Sequence, residues 1–173
     1  MSHRDILRTV GWVSLGLLVT ASPASAQSKV TLAPLQFLLG EWEGVGDQAG
    51  ATGGFAFASS VQDRVIVRTN YSITPAKGST PASRHDDVMV IYVDAGAIKA
   101  DYIDSEDHVI RYSVEARPDA VVFVSEITPA EPRYRLRYTR TSAATLTGTF
   151  EIAPPGRPEA FGPYLSWTAR KTK

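Results

Sequence analysis

Two short runs carry the residue types needed for acid–base chemistry. His85-Asp86-Asp87 places an imidazole beside carboxylates, and His108 follows Asp104 and Asp107 closely enough to pair with either. A histidine acts as a general base when a carboxylate orients it within hydrogen-bond reach. On an extended strand His85 and Asp87 share one side while Asp86 points to the other. Two ligands are too few for a metal centre, so no metal is expected. The chain has no cysteine, no Gly-x-Ser-x-Gly elbow and no phosphate-cradling glycine loop. Nucleophilic and nucleotide chemistry therefore have no linear signature, and no residue is assigned a catalytic role.

A second group of residues suits binding. Tyr92, Tyr102, Tyr112, Tyr134 and Tyr138 fall on successive strand-like segments, where their rings could cradle an apolar molecule and their hydroxyls orient it. Core packing explains them equally well. Arg68 stands out as an unpaired charge in the apolar run Val65-Ile66-Val67-Arg68. Trp42 enters the first strand among glycines and reads as a core aromatic plugging one end of the fold. The arginines at 133, 135, 137 and 140 read as a solvated stripe balanced by acidic residues across the ladder.

The elements that must position these residues are strands. From Glu41 onward apolar residues recur with period two, and turn-forming clusters punctuate the chain at regular spacing. Ten strands are expected, near 41–47, 53–61, 64–74, 87–94, 97–103, 108–116, 120–127, 133–141, 145–153 and 163–171. Alternation turns His108, Ile110, Tyr112 and Val114 inward, together with Tyr134, Leu136, Tyr138, Leu146, Gly148, Phe150 and Ile152. The strand at 87–94 is apolar on both faces, which calls for a cover; the short helical turn Pro34–Leu39, stopped by Gly40, is the candidate. An all-β, antiparallel up-and-down barrel of about ten strands removes the exposed edges of so long a meander. Ten strands also exceed the eight whose bore side chains can about fill, so a cavity is expected.

Residues 1–26 follow the plan of a cleaved signal peptide: Arg4 and Arg8, an apolar stretch from Val10 to Val19, then Ala24-Ser25-Ala26. The expected mature chain, 27–173, is one domain of ordinary size, exported to the periplasm or secreted, with no disulfide and no stable membrane anchor. Removing 1–26 leaves 16 basic and 17 acidic residues. That balance argues against nucleic acid as a partner, and the oligomeric state stays open.

The run Leu35-Gln36-Phe37-Leu38-Leu39-Gly40-Glu41-Trp42-Glu43-Gly44-Val45-Gly46 resembles the opening of calycin-type barrels. It is especially similar to the nitrobindin family and to secreted bacterial proteins of a domain-of-unknown-function family. The likeness continues loosely through Asp63–Arg68, His85–Tyr92 and Asp104–Ile110. It implies a barrel closed at one end by the helix and open at the other. It also implies a basic residue of the last strand packed over Trp42, expected here to be Arg170. Nitrobindins hold haem through a histidine late in the chain, whereas this sequence has none after His108, so no cofactor is expected.

The reading that follows is a lipocalin-like container for a small, largely apolar molecule. Trp42, Arg68, His85, Tyr92, Tyr102, His108, Tyr112 and Tyr138 are its expected ligand-binding residues. The alternatives are a barrel-mouth enzyme using His108 or His85 with Asp87 or Asp104, and an envelope interaction module working through an outer face.

Overall fold

The computed structural model describes residues 29–46 and 50–173, and the expected signal peptide lies outside the described residues. A 3-10 turn, Ala33–Leu38, leads into ten strands: β1 Gly40–Val45, β2 Thr52–Ser60, β3 Val65–Thr74, β4 Ser83–Asp94 and β5 Ala97–Asp104, then β6 Val109–Arg117, β7 Ala120–Ser125, β8 Arg133–Ser142, β9 Thr145–Ala153 and β10 Gly162–Lys171. Each strand pairs antiparallel with its neighbours in sequence, and β1 pairs with β10 to close a calycin-like barrel.

The inward registers follow the alternation of the sequence. Tyr112, Phe123, Leu136, Tyr138 and Leu146 are all buried, and β6, β7 and β8 pair with one another without slipping. The four connections β2–β3, β4–β5, β6–β7 and β8–β9 gather at one end of the barrel with the 3-10 turn, which closes it. Leu35 and Leu38 are fully buried there, each contributing about 2 kcal/mol of apolar burial. The Trp42 indole donates to the Leu38 carbonyl at 2.8 Å, which ties the turn to β1. Gly40 has φ of +125°, and a β-carbon there would collide with the Lys173 carbonyl, so the chain can turn from the plug into the barrel only at glycine.

Three expectations are corrected. The plug does not cover the outside of β4: its leucines enter the end of the barrel, and it meets β6, Trp42 of β1 and Arg140 of β8. Val88, Val90 and Tyr92 stay partly exposed outside. Next, β4 begins at Ser83, before the expected 87. The polar residues His85 and Asp87 break the apolar alternation but continue its geometry, because the barrel interior satisfies them. Finally, Lys171 rather than Arg170 lies over Trp42, with its ammonium 5.4 Å from the ring centroid. The register pairs Trp42 with Lys171 and leaves Arg170 exposed on the outer face.

Candidate ligand-binding site

Arg68 lies on β3 with its side chain inside the barrel and 5% of its surface exposed. One guanidinium nitrogen, Nη1, donates to the Tyr138 hydroxyl at 2.8 Å. In a ten-strand ring β3 and β8 are five strands apart by either route, so this bond spans the bore. Nη2 binds the Asp87 carboxylate, whose second oxygen accepts from Asn70 at 2.7 Å. The expected unpaired charge is thus a buried ion pair, joined from the neighbouring strand. Burial works against the Arg68 charge, but the facing Tyr138 oxygen and Asp87 outweigh it, and the guanidinium stays ionised.

The Arg68–Tyr138 strut divides the interior. Toward the closed end lies an aromatic packing with Tyr138 at its hub, its ring 5.5 Å from those of Phe55 and Phe57 and 6.4 Å from Phe123. The expected lumen does not run through this half. Toward the open end the inward side chains fall into two walls, with Asp87 buried and Asn70, Ser72, His85, Tyr134, Phe150 and Trp167 partly covered. β3, β4 and β5 supply a polar wall of Asn70, Ser72, His85, Asp87, Tyr102 and Asp104. β8, β9 and β10 supply an aromatic wall, where Tyr134 stacks on Phe150 at 5.8 Å and Trp167 meets the Tyr138 ring edge at 5.8 Å. Trp167 lies flat on Gly148, its register partner, whose missing β-carbon makes room for the indole. A separate depression of about 410 Å³, lined mainly by Val45, Thr147, Thr149, Ser166 and Thr168, lies on the outer face of β1, β9 and β10 and is not part of the interior.

The polar wall is continuous. His85 places Nε2 3.2 Å from the Tyr102 hydroxyl and 3.5 Å from Asp87, and Nδ1 3.2 Å from Glu106. Tyr102 donates to Asp104 at 3.2 Å. Asp104 also accepts from the backbone amides of Glu106 and His108 and lies 2.9 Å from His108 Nδ1. Burial raises the Asp104 pKa, but these amides and the His108 ring outweigh it and hold the carboxyl below its ordinary value. Burial holds the hydroxyls of Tyr102, Tyr112 and Tyr138 above the usual phenol range, so all three are neutral.

Of the eight expected residues, the structure gathers Arg68, His85, Tyr102, Tyr112 and Tyr138 around this half of the bore. Trp42 is buried against the plug. Tyr92 points outward and donates to Asp101 at 3.0 Å, away from the interior. His108 leaves the inward register expected of it: its side chain is 53% exposed and folds back on Asp104 in the turn. Asn70 and Trp167 were not singled out by the sequence reading, although each sits two residues from an inward neighbour, Arg68 and Ala169, and shares its face.

Among the described residues no three histidine, cysteine, aspartate or glutamate side chains are placed to hold a metal, and no helix is long and apolar enough to cross a membrane. On the outer surface Ile103 and Val109 are exposed register partners. No protein-family model matches the chain, and no curated protein is significantly similar to it in sequence.

Proposed function

We propose that this barrel binds a small, largely apolar molecule in its open half, with the aromatic wall taking the apolar body and the polar wall orienting it. The observation that carries the reading is the strut between Arg68 and Tyr138, which closes the bore halfway and makes a floor for a two-sided cup. A chain built only to be a stable barrel has no need to bury an ion pair beside half-exposed aromatic rings. The calycin-like fold is compatible with this use. The leader at 1–26 supports export, so we place the work in the periplasm or outside the cell; a purified chain beginning at Gln27 would establish cleavage, and one retaining Met1 would refute it.

The test is occlusion. Nile red, an uncharged apolar dye, should bind the folded chain saturably with one site. Ser72→Trp, at the inward rim, should weaken that binding at least about tenfold, whereas Thr69→Trp, on the outer face of the same strand, should leave it unchanged. Equal binding in all three proteins would overturn the cup.

One observation favours a second reading, acid–base chemistry at the mouth: a partly exposed imidazole, His85, contacts both Asp87 and Tyr102. A molecule recovered from the cup chemically changed after incubation, and unchanged with His85→Asn, would support it. Recovery unchanged from both would refute it.

A further inference from the structure

Resting on the cup reading, we infer that the molecule it takes presents a neutral carbonyl-type oxygen to Arg68. Nε of Arg68 is buried and has no hydrogen-bond partner, although the other two nitrogens of the same group are bonded. In the planar fork the Nε and Nη2 protons lie along one edge. Nη2, the nitrogen on the Nε side of the fork, reaches toward Asp87, which sits one inward position nearer the open end than Met89, the register partner of Arg68. The free donor therefore faces the cup and not the packed half.

The charges around it select the acceptor. The acidic and basic groups that face the open half are Arg68 from β3, Asp87 from β4 and Asp104 from β5, with the side chains of His85, Glu106 and His108 at the rim. β6, β7, β8 and β9 contribute Tyr112, Ser125, Tyr134 and Phe150 to the inner face, none of them charged. Arg68 is already balanced by Asp87. An anionic head group would add a negative charge beside Asp87 and within reach of the Asp104 field, and a cationic one would meet an N–H donor on a positive fork. An uncharged oxygen acceptor satisfies the donor without either conflict, and a site built to donate discriminates against analogues that cannot accept. Tyr112, whose ring is buried against Phe123 and within the field of Arg68, supplies a neutral hydroxyl to the same region.

The experiment compares undecan-2-one with undecanoate, equal in chain length, as competitors of Nile red on the full chain at neutral pH, together with the carbonyl resonance of undecan-2-one labelled with carbon-13. The expected result is that the ketone competes at least about tenfold more tightly than the carboxylate and that its bound carbonyl signal lies clearly downfield of the same ketone in hexane, where nothing donates to it. Arg68→Met, which removes the donors, should bring the bound signal to the hexane position. If that variant fails to fold, the ketone-to-carboxylate ratio and the carbonyl position in the unmodified chain decide alone. Undecanoate binding as tightly as the ketone, or a bound ketone whose carbonyl signal sits at the hexane position, overturns the inference and leaves the cup standing. Failure of Nile red itself to bind removes the cup.

Discussion

Arg68 on β3 and Tyr138 on β8 are hydrogen-bonded across the full width of the barrel at 2.8 Å, and everything toward the open end is organised above that bond. The ion pair with Asp87 fixes the guanidinium from the side. Removing one partner of a buried pair strands the other charge, so Arg68→Met should destabilise the fold by about 3–5 kcal/mol in urea unfolding. The double variant Arg68→Met/Asp87→Leu should recover more than half of that loss. Additive losses in the two single variants would show that the pair is not coupled.

Trp167 depends on a glycine. A β-carbon at Gly148 would strike the indole, including its nitrogen at 2.7 Å, so Gly148→Ala should push the ring off the aromatic wall. The expected cost is about 1–3 kcal/mol, accompanied by a red shift of tryptophan emission as the ring gains water. An unchanged emission spectrum would mean that the indole does not rest there.

Asp104 is held charged by two backbone amides and the His108 ring, with its pKa lowered. A carboxyl whose folded pKa lies below its unfolded value of about 3.9 stabilises the fold above that value and loses the contribution as pH falls through the folded pKa. Asp104→Asn should therefore cost about 2 kcal/mol at pH 7, with the gap to the unmodified chain closing below about pH 4. Thermal melts of both proteins between pH 7 and pH 2 measure this, and a gap that widens in acid would contradict it.

The β2–β3 turn places Val61, Gln62 and Asp63 in succession at positive φ, with Val61 at 51°. A β-branched residue is strained in the left-handed region, so Val61→Asn should stabilise the barrel by about 1 kcal/mol in chemical unfolding. Val61 is well exposed, and little packing is lost.

What the sequence disclosed followed from how locally each feature was determined. Strand count and the inward faces of Tyr112, Leu136, Tyr138 and Phe150 were legible because period-two alternation is a local property. The resemblance pointed to a basic residue of the last strand without fixing its phase; after the bulge between Pro163 and Leu165 the inward face of β10 runs through Trp167, Ala169 and Lys171, so Lys171 takes the place expected of Arg170. Tyr92 could not be assigned a face, since β4 is apolar on both sides around it. The pairing of Arg68 with Asp87 joins residues 19 apart on neighbouring strands, and the bond to Tyr138 joins residues 70 apart. Neither leaves a local pattern, so Arg68 read as a lone charge. Closure of the barrel is what makes it the floor of a site.

Where a ligand lands distinguishes a cup in the open half from an outer-face site. Nile red should be titrated into protein labelled with nitrogen-15 while the indole N–H resonances of Trp42 and Trp167 are followed. The Trp167 signal, on the open half's aromatic wall, should move saturably, while the Trp42 signal, locked to the Leu38 carbonyl behind the strut, should stay in place. An unmoved Trp167 with changes confined to outer-face residues such as Val88, Tyr92 and Ile103 would contradict the cup.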